Sequence, residues 1–138
     1  MTESAGPKHR ESRAQRALFR WIRKQGALLP GLGLAFAIPN GAYLQGDKLQ
    51  RAKRWAQLRA EGAREGVSDV FLPVPRGRYH GLWIEMKAEK PHNSAVSKEQ
   101  REWLQAMREQ GYQAGVCYGK DEAMAAILDY YQLGPFHV

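Results

Sequence analysis

Apolar positions recur along the chain in blocks whose period switches between helical and extended. From about Glu11 to Gln25, Ala14, Leu18, Trp21 and Ile22 fall on one helix face, which predicts a helix closed by Gly26. After the loop "LLPGLGL", the run "LAFAI" (Leu34 to Ile38) predicts a short strand ended by Pro39, Asn40 and Gly41. "GDKLQRAKRWAQLRAEGAREG" predicts a helix capped by Asp47, with Leu49, Ala52, Trp55 or Ala56, and Leu58 on its apolar side. It unwinds between Glu61 and Gly66. "DVFLPV" predicts a strand whose far end Pro73 and Pro75 confine to an edge or exit. The chain turns at Arg76 to Arg78, and "YHGLWIEMK" then alternates. Leu82, Ile84 and Met86 share one face, and Trp83, Glu85 and Lys87 share the other. "SKEQREWLQAMREQG" predicts a helix with Ser97 and Gln100 at capping-box spacing, an apolar stripe of Trp103, Leu104 and Met107, and a stop at Gly111. "YQAGVCY" predicts another strand. "KDEAMAAILDYY" predicts a last helix burying Met124, Ile127, Leu128 and Tyr131.

This order of elements is an α/β pattern, a mixed central sheet flanked by helices. The 138 residues suit a single domain over 10–138, preceded by a polar tail, 1–9, expected to be flexible. No internal repeat interrupts it. No apolar run is long enough to cross a bilayer, and "MTESAGPKHRESR" lacks an apolar signal region, so the expected location is cytoplasmic. The single cysteine, Cys117, has no internal disulfide partner and reads as a buried small apolar residue. No Cys pair or spaced Cys/His set suggests structural zinc.

Charge adds a partner class. Twenty-one Lys and Arg against 14 Asp and Glu give a formal net charge of +7, which fits a polyanion. Lys48, Arg51 and Arg54 on the second helix, Arg76 and Arg78 at the hairpin tip, and Lys90 are the candidate contacts to a nucleic-acid backbone. Contacts of that kind set register without reading sequence, and no base-reading motif accompanies them. The plainer reading of such charges is a solvated face. His9, His80, His92 and His137 show no metal-ligand spacing, and none is assigned a catalytic role.

Chemistry concentrates at Asp69, Glu85 and Lys87. Glu85 and Lys87 are two residues apart on a strand and point the same way. If the flanking strands pair as a hairpin, Asp69 lies beside Glu85. Two converging carboxylates suit a hard divalent cation, and Mg²⁺ uses one or two carboxylates plus waters. Such an ion would lower the pKa of a water and stabilise charge on a phosphate oxygen, with Lys87 to orient the water or stabilise the transition state. The simpler alternative is a Glu–Lys ion pair on a solvated sheet.

"GVSD" at Gly66 to Asp69 and "WIEMK" at Trp83 to Lys87 resemble the PD-(D/E)XK nuclease signature. Glu11 and Gln15, "IPNG" at Ile38 to Gly41, "EGVSD" at Glu65 to Asp69, "IEMK" at Ile84 to Lys87 and "SKEQREWLQAMREQGYQAGV" from Ser97 to Val116 narrow the resemblance to the VRR-NUC family. It runs from Glu11 to about Tyr131. The family's usual proline before the aspartate is Ser68 here, which bears on turn geometry rather than ligation. The resemblance implies a restriction-endonuclease-like core and a metal-dependent DNA endonuclease. Asp69, Glu85 and the Met86 carbonyl would ligate Mg²⁺ or Mn²⁺, with Glu11 direct or through water. Lys87 would be the catalytic lysine, with Gln100 beside it. Stand-alone members resemble Holliday-junction resolvases and act as homodimers, so the expected substrate is branched DNA. A flap, nicking or restriction-type nuclease, a binding module without catalysis, and a generic basic α/β domain remain alternatives. Glu11 and Gln100 also have ordinary roles open to them, at a helix start and in a capping box.

Overall fold

The first helix, α1, spans Pro7–Gln25 in the computed structural model, which describes residues 6–39 and 44–138. Pro7 sits at the start of α1, where its fixed φ suits a helix and its missing N–H costs no bond. Pro7, Lys8 and His9, expected in the tail, are therefore helical, and α1 begins ahead of Glu11. Met1 to Ala5, and the turn residues Asn40 and Gly41, lie outside the described residues.

A 3₁₀ turn at Leu32–Leu34 leads into β1, Phe36–Ala37, so Leu34 belongs to the turn rather than to the strand expected there. The remaining elements are α2 (Lys48–Ala60), β2 (Val70–Leu72), β3 (Leu82–Lys87), α3 (Lys98–Glu109), β4 (Gln113–Tyr118) and α4 (Lys120–Gln132). The sheet order is β1-β2-β3-β4. The pairings of β1 with β2 and β2 with β3 are antiparallel, and β3 pairs with β4 in parallel, joined through α3. The predicted mixed sheet flanked by helices is the observed architecture. Among the described residues no helix is long and apolar enough to cross a membrane.

Alternation along the strands sorts residues between two faces. Val70, Leu72, Leu82, Ile84 and Met86 form the core with Leu18 and Ile22 of α1 and Ala123, Ile127 and Tyr130 of α4. The buried side of α4 is Ala123, Ile127, Tyr130 and Tyr131, whereas Leu128, expected inside, is 42% exposed. The tyrosines displace it because their rings can be buried with the hydroxyls satisfied. Tyr130 donates to the Val74 carbonyl at 2.6 Å and Tyr131 to the Pro30 carbonyl at 2.7 Å. Cys117 is buried, as expected.

The other face carries a row of rings set by register. Phe36 is opposite Phe71, and Phe71 is opposite Trp83. Phe71 stacks on Trp83 with centroids 4.2 Å apart, and Trp103 of α3 meets Trp83 edge-on at 5.3 Å. This contact seats α3 over the end of β3, and Ser97 with Gln100 forms the predicted capping box there.

Helix α2 departs from expectation. Asp47 and Gln50 form a capping box, but no residue of α2 is buried, and Leu49 is 63% exposed. Its apolar side, Leu49, Ala52, Trp55, Ala56 and Leu58, is only partly covered, with Trp55 and Leu58 half-buried and the rest exposed.

The segment between α2 and β2 depends on Gly66. Its φ is +84°, and an added Cβ would come within 2.4 Å of the Glu99 backbone at the start of α3. Gly66→Ala should therefore destabilise the fold by more than about 2 kcal/mol. Gly33→Ala, in open space and free of a positive φ, should change stability by less than about 0.5 kcal/mol. Urea unfolding of the two variants checks the contrast.

Candidate active site

Register places the acids. Val70 pairs with Ile84, so one step back Asp69 stands opposite Glu85 on the same face. The Ile38 N–H donates to the Asp69 carbonyl at 2.8 Å, which extends the sheet to this row. Asp69 is 8% exposed and Glu85 1%. The Asp69 Oδ2 accepts the Met86 N–H at 2.8 Å. In a strand the N–H and C=O of one residue point to the same side, so the Met86 carbonyl is aimed toward Asp69 as well. The Met86 side chain is fully buried in the core on the opposite face.

Lys87 follows Glu85 on the same face and is 3% exposed. Its Nζ donates to Gln100 Oε1 at 3.1 Å and to Ser94 Oγ at 3.4 Å. The same Gln100 oxygen accepts the Ser97 N–H at 2.9 Å. Gln100 thus caps α3 and holds Lys87 with one atom. An ammonium has three donors, and these two contacts leave one for the cleft.

Asp69, Lys87, Ser94 and Gln100 open into a cavity of about 340 Å³, and Glu85 is buried behind its lining. Lys8, Glu11, Ser12 and Gln15 of α1 form one wall. Trp55, Arg64, Glu65, Gly66 and Val67 form the other, and Asp69, Lys87, Ser94 and Gln100 line it between them. Glu65 braces the second wall: its Oε1 accepts the Trp55 indole N–H at 2.9 Å and lies 3.6 Å from Arg59.

The electrostatics are those of crowded acids. Burial foremost, then a hydrogen bond that the Glu85 carboxyl donates to Asp69 and the charge of Asp69, lift Glu85 well above the usual carboxylate range, while Lys87 pulls it down. Glu11 is raised mainly by burial, against the pull of Lys87. Glu85 Oε2 is buried without a hydrogen-bond partner. A buried carboxylate oxygen left unpaired beside a second carboxylate is what a hard cation satisfies. Among the described residues, no three His, Cys, Asp or Glu side chains are gathered into a closed cage. Mg²⁺ does not need one, because it retains waters and uses one or two carboxylates. Asp69, Glu85 and the Met86 carbonyl fit that requirement, with Glu11 at the cleft wall.

The other sequence candidates scatter. Lys90 stays near this end of the sheet, its Nζ 4.4 Å from the centroid of the Tyr118 ring. Lys48, Arg51 and Arg54 are exposed on α2 and do not line the cleft. Arg51 donates to the Gly46 carbonyl at 2.7 Å, and Arg54 to Gln57 at 3.4 Å. Arg76 and Arg78 lie at the far end of the hairpin, roughly 20 Å away by strand rise. Arg76 is tied to α4, donating to the Tyr131 carbonyl at 2.7 Å. Sequence reasoning missed Lys8, Ser12, Trp55, Arg64 and Ser94. Lys8 and Ser12 stand at helical spacing from Glu11 and Gln15, a usable signal once α1 is extended. Ser94 carries no such signal, because only the loop path brings it to Lys87. The buried Ser68 replaces proline with its hydroxyl unpartnered.

The raised Glu85 has a measurable consequence. The folded, metal-free protein keeps this proton at pH values where the unfolded chain has lost it. The folded state then binds more protons, so stability falls as pH rises above about 5. Glu85→Gln should flatten that slope in thermal melts run in EDTA. If Mg²⁺ binds these acids, it should raise the Tm of the wild type at pH 8 and leave that of Glu85→Gln unchanged.

The sequence profile of the VRR-NUC domain matches residues 9–121. No curated protein sequence matches the chain. A solved structure described as a VRR_NUC domain protein is similar, with a TM-score of 0.74, 25% identity, and 92% of each chain covered. With the fold, the row of acids and the lysine beside them, this match identifies the chain as belonging to the VRR-NUC family of PD-(D/E)XK-type nuclease domains.

Proposed function

We propose that this chain is a metal-dependent DNA endonuclease that hydrolyses phosphodiester bonds. Branched DNA such as a four-way junction is the favoured substrate, and a homodimer with two cleavage sites the favoured assembly. The observation that carries the catalytic part is the placement of Asp69 and Glu85 face to face beside a buried Lys87 that Gln100 and Ser94 hold in position. The substrate preference and the dimer rest on likeness to the family. They suit each other because a junction presents two equivalent strands to a two-fold assembly.

Each residue has a distinct task. Asp69, Glu85 and the Met86 carbonyl would hold Mg²⁺ or Mn²⁺, with Glu11 contributing from α1. The ion, when bound, supplies positive charge for the phosphate oxygens and acidifies a nearby water. Lys87 presents a fixed N–H toward the cleft, where it orients the attacking water or stabilises charge growing on the phosphate. Gln100 is a positioning residue, since it acts by fixing Lys87. Water adds to phosphorus, the bond from phosphorus to one bridging oxygen breaks, and that oxygen leaves with a proton.

The test is cleavage of a labelled four-way junction, a flap and a plain duplex, each with Mg²⁺, Mn²⁺ or EDTA. The wild type should cut the junction in metal and nothing in EDTA. Lys87→Ala should lower the single-turnover rate by roughly 10²–10³, while circular dichroism shows it still folded at the assay temperature. Binding without cutting in both metals would overturn the enzymatic reading. Equal cutting of all three DNAs would overturn the preference for branches.

A further inference from the structure

We infer that one flank of α1, carrying Arg16, Arg20 and Arg23, is a docking track for the sugar–phosphate backbone of a duplex arm beside the cut site. This deepens the nuclease reading and rests on it. Ser12 and Gln15 line the catalytic cleft, and they also line a second groove with Arg16, Phe19, Arg20 and Arg23. Because two residues belong to both, the cleft runs on into the groove.

The three arginines recur at helical spacing, so their guanidinium groups follow one side of α1. All three are exposed, and none makes an ion pair with a described acid. The helix macrodipole accounts for Arg23 in the last turn, but its reach does not extend to Arg16 and Arg20 in the middle. Phe19 packs against the core and gives the groove a fixed apolar floor. Arg16 and Arg23 are about 10 Å apart along the helix axis, at ~1.5 Å per residue. That length spans a few consecutive phosphates of one DNA strand. The track therefore offers its guanidinium groups to neighbouring phosphates, and a guanidinium can bind phosphate oxygens bidentately. Such contacts would set the register of the arm and leave its sequence unread.

The test measures binding of a fluorescein-labelled four-way junction by anisotropy over a series of salt concentrations, with Ca²⁺ present. The variants are Arg16→Gln/Arg20→Gln/Arg23→Gln, the charge-preserving Arg16→Lys/Arg20→Lys/Arg23→Lys, and the control Lys98→Gln/Lys120→Gln. Losing three phosphate contacts should make the slope of log K against log salt shallower by about 2.7, at ~0.9 per contact. Affinity at moderate salt should fall at least tenfold. The lysine variant and the control should keep the wild-type slope. In Mg²⁺ the glutamine variant should show a raised KM for cleavage with kcat unchanged. A wild-type slope in the glutamine variant would overturn the track and leave the nuclease reading standing. A wild type that binds no DNA even at low salt would overturn both. A shallow slope in the lysine variant too would overturn the assignment to charge, since lysine keeps the charge.

Discussion

Asp69 and Glu85 face each other across one antiparallel pair, almost wholly shielded from water, and like charges so placed repel strongly. The surrounding structure answers that repulsion. Glu85 retains its proton when no cation is present, the Met86 N–H supplies one donor to Asp69, and Lys87 supplies a positive charge on the same face. The stacked rings of Phe71 and Trp83 support α3, and α3 in turn supplies Gln100 to hold Lys87. Packing far from the acids therefore sets where the lysine points. Crowding two buried acids in this way costs the fold some stability.

The hairpin matters because it is the cheapest way to bring two acids together. A two-strand pairing fixes a cross-strand neighbour within a few ångströms using only backbone bonds. A slip of one residue would send Glu85 and Lys87 to the core face and Ile84 to the cleft. The aromatic row and the buried Val70, Leu72, Leu82 and Ile84 hold the register from both faces. Gly66 lets the chain turn closely under the start of α3, so Asp69 enters the row at the right height.

Much of this was legible in the sequence, and what was missed has specific causes. Period-two alternation in "LWIEMK" places Glu85 and Lys87 together whatever the rest of the chain does. Ser97 and Gln100 form their box from local geometry alone. Helix α2 shows the opposite case. Its pattern is amphipathic, yet Leu49 stays 63% exposed, because patterning states which face would bury and not whether a partner is near. The closing helix shows a third case: Met124, Ile127 and Leu128 fit a helix face as well as Ala123, Ile127 and Tyr130 do. Hydroxyl partners at Val74 and Pro30, distant in sequence, decide between them.

The sequence by itself determined the order of the elements, the mixed sheet, and the acids and lysine at the end of the central hairpin. These follow from side-chain period, turn residues and caps, all of which act over a few neighbours. Only the tertiary structure decided which charges border the cleft. It put Lys8 and Ser12 of α1 in the cleft that Asp69 lines, set Arg76 against Tyr131, and left Lys48, Arg51 and Arg54 outside. Those placements depend on how helices dock across the sheet, and a cation on a helix surface contributes too little to folding to reveal its place in advance.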